Sequence, residues 1–207
     1  MLEKIRIAVL VSGGGTNLQA LIDAQNSGVL HSGRIVSVIS SNPDAYAIRR
    51  AQAARIPVAV VDKKNCATQE VFEEAIFGEL RKAGAELLIL AGFLSILSAD
   101  FVQRYPRRII NVHPALLPAF GGKGFYGLQV HKAALERGVK LSGATVHFVN
   151  EIPDGGEIIL QKAVEVSDGD TPEILQRRVM EQAEWILLPQ AAELVCDEIL
   201  KEKEKQI

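Results

Sequence analysis

Short runs of aliphatic and β-branched residues alternate along most of the chain with stretches whose apolar positions recur every three to four residues. Continuous apolar runs read as strands buried on both faces, and the amphipathic stretches between them as the helices that cover those faces. Strands are predicted at 5–11, 35–40, 58–61, 87–90 and 109–112, with helices at 17–27, 45–55, 69–83 and 99–105. Gly, Pro, Asn or Asp bounds each run, as expected where a chain breaks or turns. After Pro118 the order changes. A glycine-rich stretch, Gly121-Gly122-Lys123-Gly124-Phe125-Tyr126-Gly127, leads into a helix at 128–137 and two strand-like runs at 143–149 and 157–166. The seven residues between these runs cannot hold a crossover helix, so the pair is predicted to be antiparallel. A last helix starts near Thr171-Pro172, passes Pro189 and ends in Lys201-Glu202-Lys203-Glu204-Lys205, which reads as a solvated tail. The fold class is α/β: a doubly wound, mostly parallel seven-stranded sheet with an antiparallel C-terminal addition. No repeat or linker divides the chain, so one domain is expected.

Composition narrows the class further. At 207 residues, 48% apolar and 23% charged, the chain can bury one sizeable core, which argues against disorder. A formal charge of −2 argues against a basic nucleic-acid surface. Cys66 and Cys196 are far apart in sequence, with no zinc or redox spacing, and read as small buried hydrophobes in a reducing cytosol. The run 7–11 is too short for a signal peptide, and no stretch approaches the roughly 18 apolar residues of a membrane span. A cytoplasmic protein without membrane contact is expected.

Two segments carry candidate chemistry. Ser12-Gly13-Gly14-Gly15-Thr16-Asn17 lies between the first strand and the first helix, where free backbone N–H groups and the helix dipole favour an anion. No Lys follows the glycines as in a Walker A loop, and Leu18 stands where a G-x-G-x-x-G pattern needs its third glycine. The second strand ends in Ser40-Ser41-Asn42, without the acid that would hold a dinucleotide ribose. The loop therefore reads as a cradle for the terminal phosphate of a mononucleotide, held by Gly15, Thr16 and Asn17. The plainer alternative is a tight turn that needs glycine for steric reasons.

The second segment is Asn111-Val112-His113-Pro114, which places two polar side chains on one side of a strand at its carboxyl end, where open α/β sheets bind ligands. A His that moves a proton and an Asn that donates to an oxyanion suit acyl chemistry. The best-placed carboxylate is Asp154, with Glu151 its local rival, and no Ser or Cys occupies a nucleophile elbow, so direct transfer is the simpler mechanism. A packed strand-end histidine is the competing account of His113. His31 reads as solvated, His131 as a helix residue and His147 as half-buried and structural. No two histidines have metal-ligand spacing on a helix turn, so no metal is expected.

These residues belong to a recognisable set. Val11-Ser12-Gly13-Gly14-Gly15-Thr16-Asn17-Leu18, Leu90-Ala91-Gly92-Phe93-Leu94-Ser95-Ile96-Leu97, Asn111-Val112-His113-Pro114-Ala115-Leu116-Leu117-Pro118, Val146-His147-Phe148-Val149 and Asp154-Gly155-Gly156 together resemble the folate-dependent phosphoribosylglycinamide (GAR) formyltransferases of purine synthesis. The resemblance implies a Rossmann-like mononucleotide-binding half, about 1–105, and a catalytic, folate-binding part, about 106–207. It implies GAR phosphate on Gly15, Thr16 and Asn17, and GAR ribose on Glu184. Asn111, His113 and Asp154 are then the catalytic trio. The co-substrate 10-formyltetrahydrofolate is placed beside Gln69, Leu94, Ser95, Ile96 and Leu97, with contacts to Asn111 and Asp154. Several members carry Arg where this chain has Ser95, and Arg in the region of Gln69, which bears on the glutamate tail. The stretch 119–130 is longer than in compact members, and its glycines read as a mobile flap; Lys123 there can visit an anion, but a plain flexible loop is the preferred account. The chain is expected to act as a monomer or homodimer. Formyltetrahydrofolate hydrolase and methionyl-tRNA formyltransferase share the chemistry but carry a further domain, for which 207 residues leave no room. A non-catalytic nucleotide sensor would keep the glycine loop and dispense with the trio.

Overall fold

The computed structural model describes residues 3–205. Its seven strands are β1 (Ile5–Val11), β2 (Gly33–Ser40), β3 (Val58–Val60), β4 (Leu87–Leu90), β5 (Ile109–His113), β6 (Leu141–Phe148) and β7 (Ile158–Glu165). They form one sheet in the order β3-β2-β1-β4-β5-β6-β7. Strands β1 to β5 pair in parallel, and β6 and β7 close the far edge antiparallel. Helices α1 (Thr16–Ser27), α2 (Ala47–Ala53), α3 (Gln69–Ala83), α4 (Ala99–Gln103), α5 (Leu128–Arg137), α6 (Pro172–Val179) and α7 (Trp185–Glu204) cover both faces. Two apolar layers result. One packs Ile7, Val9 and Ile89 against α1 and α7 residues such as Leu18 and Leu188, and the other packs Leu10, Leu88 and Leu90 against Phe72, Ile76 and Phe101. The alternation of Ile7 and Val9 with Ala8 and Leu10 is the period-two consequence of a strand buried on both sides.

Three expectations are corrected or refined. Residues 172–204 do not form one uninterrupted α-helix: a π-turn at Met180–Glu184 joins α6 to α7. The backbone stays right-handed through the junction, with Met180 at φ −59° and Glu184 at φ −57°, so the rod continues with one widened turn. The charged C-terminal segment is solvated, as expected, but is the last turn of a helix and not a loose tail. Lys201 to Glu204 lie in α7, where Lys203 pairs with Glu86 and Glu202 with Arg108, pinning the helix end to the β4 and β5 approaches. Cys196 is buried as expected, but Cys66 is half-exposed, its thiol donating to the Asp62 carbonyl. No helix among the described residues is long and apolar enough to cross a membrane.

Candidate active site

Asn111 and His113 project together from the carboxyl end of β5 because one residue separates them on a strand. The antiparallel register of β5 on β6 sets Asn111 opposite His147 and His113 opposite Thr145. A register shift between Val146 and His147 follows on the β6–β7 side, a bulge of the kind that re-aims a side chain beside a functional site. The β6–β7 connection then folds back over the strand end. Gly156 permits this, since a Cβ there would stand 1.7 Å from the Phe148 carbonyl oxygen. Asp154 crests the connection with φ +55°.

Four side chains meet here. Asp154 Oδ2 lies 3.4 Å from His113 Nδ1 and accepts from the Gly122 N–H at 2.8 Å. Its Oδ1 lies 3.4 Å from Asn111 Nδ2 and 3.5 Å from His147 Nε2. His113 Nε2 donates to the Phe120 carbonyl at 2.7 Å, and His147 Nδ1 to the Phe148 carbonyl at 2.8 Å. Carbonyls only accept, so these contacts assign the protonated nitrogen of each ring. His147 Nε2 is then the acceptor for Asn111 Nδ2 at 3.2 Å, and His113 Nδ1 is left facing the carboxylate. Asn111 thus directs its amide hydrogens at two acceptors, an orientation that a flipped amide would replace with repulsion from Asp154.

The charges are tuned against one another. Burial pushes the His113 imidazolium down in pKa, opposed by the Asp154 charge and the Phe120 carbonyl and assisted by His147. Burial works to raise the Asp154 carboxyl, but its contacts with the His147 and His113 rings and with the Gly122 N–H outweigh it and hold it below the usual carboxylate range. The result is an ionised carboxylate beside a neutral imidazole whose free nitrogen can take up a proton as charge develops.

This cluster forms one wall of a cavity of about 480 Å³ whose opposite wall is the glycine loop. Gly15 turns the chain with φ +72°, and a Cβ there would lie 2.6 Å from the Ala47 Cβ. No side chain caps α1, which leaves its first-turn N–H groups facing the cavity end lined by Thr16 and Asn17. Arg50 braces the loop from outside, its Nε donating to the Gly14 carbonyl at 2.9 Å. Gln176, Met180 and Glu184 reach the same cavity across the π-turn. Glu184 Oε2 accepts from Asn17 Nδ2 at 2.6 Å, while Asn17 Oδ1 is buried without a partner. Burial raises the Glu184 carboxyl, only partly countered by Asn17.

Most of the predicted residues converge on this space. Thr16, Asn17, Leu94, Ser95, Ile96, Leu97, Asn111, His113, Asp154 and Glu184 all line it; Gly15 stands just behind Thr16. Gln69 does not line it: its amide donates to Glu73 at 2.7 Å and to the Ile96 carbonyl at 3.0 Å. Glu151 and Lys123 stand exposed at the rim, clear of the cluster. Two residues were missed as site members. His147 is 2% exposed inside the cluster, a position set by the β5–β6 register. His131 is fully buried at the cavity wall with both ring nitrogens unpartnered, and burial together with the nearby His113 brings its pKa down to about 4. Among the described residues no group of three His, Cys, Asp or Glu side chains is arranged to hold a metal ion.

An Asn–His pair at a strand end, faced by a loop aspartate and by an uncapped helix N-terminus, is the layout of a group-transfer enzyme acting on an anionic small molecule. The chain matches the formyl transferase family over residues 5–191 and belongs to that family. It is 43% identical to a phosphoribosylglycinamide formyltransferase of Haemophilus influenzae over 86% of this chain and 81% of that protein. It is 41% identical to the chloroplastic phosphoribosylglycinamide formyltransferase of Arabidopsis thaliana, covering 96% of this chain and 68% of that one. It also matches the trifunctional purine biosynthetic protein adenosine-3 of Gallus gallus at 43% identity, covering 94% of this chain but spanning only 19% of that protein. Among solved structures, glycinamide ribonucleotide transformylase 1 of Symbiobacterium toebii superposes with a TM-score of 0.88 at 41% identity, covering 94% and 89% of the two chains.

Proposed function

We propose that this protein transfers the formyl group of 10-formyltetrahydrofolate to the amine of GAR, giving formyl-GAR and tetrahydrofolate in purine synthesis. The observation that carries the reading is the single cavity that joins the Asn111–His113–His147–Asp154 cluster to the uncapped N-terminus of α1. The N–H groups of the first turn of α1 take the phosphate, a role that needs no lysine because the helix dipole already favours an anion. Glu184, its carboxyl raised by burial and steadied by Asn17, sits beside that turn and takes the ribose hydroxyls. The formyl donor lies along the apolar side of the cavity, against Leu94, Ile96 and Leu97, with the 150–156 segment opposite.

The amine of GAR attacks the formyl carbon, the carbonyl oxygen becomes an oxyanion, the bond from carbon to N10 breaks, and the amine proton ends on N10. Asn111 turns one N–H from the long contact with Asp154 to the developing oxyanion, a single donor of which is worth about 10²–10³ in rate. His113 Nδ1, neutral and facing a carboxylate, takes up a proton as negative charge appears and returns it to the departing nitrogen. Asp154 stabilises the imidazolium so formed and fixes the ring against the Phe120 carbonyl. His147 holds Asn111 in register from the neighbouring strand. All these groups belong to one chain, so the chemistry needs no second copy, and two free cysteines fit a reducing cytosol.

The test is an absorbance assay with a formyl-folate, with and without GAR. Folate turnover that depends on GAR supports the transferase. Folate consumption without GAR would replace it with a hydrolase, and no change with either would leave a nucleotide sensor.

A further inference from the structure

The apolar wall of the cavity is a loop, 92–98, with no secondary structure of its own, yet it keeps Leu94 65% and Ile96 57% exposed. Apolar side chains on an unrestrained loop would fold down onto the nearest apolar surface, so something must hold this backbone. At its start, the Leu94 N–H donates to Ser12 Oγ at 3.0 Å and the Ser12 N–H donates to the Gly92 carbonyl at 3.1 Å. At its end stands Glu73, a carboxylate in the second turn of α3 that is only 7% exposed and forms no ion pair among the described residues. Its Oε1 accepts from the Ser98 N–H at 2.6 Å and from Gln69 at 2.7 Å, and its Oε2 accepts from the Ser98 hydroxyl at 2.5 Å. Gln69, one turn earlier on the same helix face, also donates to the Ile96 carbonyl at 3.0 Å.

We propose that Glu73 and Gln69 are positioning residues that set the loop 92–98 in the shape that receives the formyl donor. A buried carboxylate without a cation is costly, and helix stability does not account for it. The first turn of α3 is already capped by Thr68, and α4 by the Ser98 hydroxyl, which accepts from the Phe101 N–H. What the carboxylate adds is a grip on loop backbone at two points, Ser98 directly and Ile96 through Gln69. Preorganising a loop in its bound shape is returned as affinity for the molecule that packs on it. Gln69 therefore acts through the Ile96 carbonyl and makes no donor contact of its own. The inference rests on the reading that this wall faces the folate.

Glu73→Ala, Glu73→Gln and Gln69→Ala are the variants to test, with tetrahydrofolate and GAR titrated separately against each and amide hydrogen exchange followed on the free proteins. Glu73→Ala weakens tetrahydrofolate binding by about tenfold or more, the scale of one charge-assisted hydrogen bond. Glu73→Gln, which keeps one acceptor for the Ser98 N–H, recovers part of that loss, and Gln69→Ala, at a half-exposed position, loses about threefold. GAR affinity stays within about twofold throughout, and faster exchange is confined to residues 92–98. Equal tetrahydrofolate affinity in Gln69→Ala and the unmodified protein, or losses that fall alike on both ligands, overturns the inference and leaves the functional reading standing. Failure of the unmodified protein to bind tetrahydrofolate overturns both.

Discussion

Replacing Asn111 with Asp is nearly isosteric, yet it sets a second carboxyl against Asp154, whose Oδ1 lies 3.4 Å from the Asn111 amide nitrogen. Two unit charges at that separation repel by about 5 kcal/mol at the effective dielectric of about 20 that suits such sites. The pair avoids this by retaining one proton near neutrality and titrating as a unit. The sign follows from proton binding. An acid whose pKa is raised in the folded state holds a proton that the unfolded chain has released, so the variant loses stability as pH rises through the folded value. Thermal melts are therefore expected to coincide with wild type near pH 4, about the unfolded aspartate value, and to fall progressively behind it as pH rises. A deficit of about 1 kcal/mol corresponds to roughly 2–4 °C in a domain of this size. Turnover is expected to fall by about 10²–10³ at neutral pH and above, where the carboxyl pair sets a negative charge beside the developing oxyanion in place of the amide donor. A melting deficit that does not change with pH would refute the contact with Asp154, and near-native turnover would remove Asn111 from the chemistry.

Three further outcomes follow. His113→Ala and Asp154→Asn each lower turnover by about 10²-fold or more with little change in GAR affinity, measured by steady-state kinetics alongside calorimetry. GAR without its 5′-phosphate binds poorly, because N–H groups at a helix N-terminus have nothing to grip; equal affinity in a calorimetric titration would reduce the glycine loop to a turn. Glu184→Gln keeps the Asn17 hydrogen bond while removing a carboxyl whose raised pKa makes the folded protein less stable as pH climbs above the unfolded value. This variant is expected to melt with wild type at pH 4 and a few degrees above it at pH 8; a lower melting temperature at pH 8 would contradict the raised Glu184 carboxyl.

The doubly wound half was legible because strands such as Ile5–Val11 and Leu87–Leu90 are buried on both faces and announce themselves as unbroken apolar runs. Asn111 and His113 were legible for the same reason, as the polar end of an otherwise apolar strand. His147 was not: its partnership with Asn111 exists only through the β5–β6 register, which depends on how the long connection 114–140, with α5 inside it, returns the chain to the sheet. The π-turn left no mark in the periodicity, since residues 172–188 keep an apolar stripe whichever way the turn is wound, yet it decides that Met180 and Glu184 reach one cavity. Gln69 was expected beside the folate, and what the sequence did not announce is its hydrogen bonding to Glu73 and to the Ile96 carbonyl. Its place one helix turn before Glu73 matters more than its nearness to the folate wall, and hydrogen bonds between side chain and loop backbone leave no spacing to read.

Transfer itself is the central claim, and following a ¹³C label placed in the formyl group of 10-formyltetrahydrofolate tests it most directly. Mixed with GAR and the unmodified protein, the label is expected to appear on the glycinamide nitrogen, one formyl per GAR, with an equal amount of tetrahydrofolate released and with the His113→Ala variant slower by about 10²-fold or more. Label recovered as free formate, at a rate indifferent to GAR, would contradict the account.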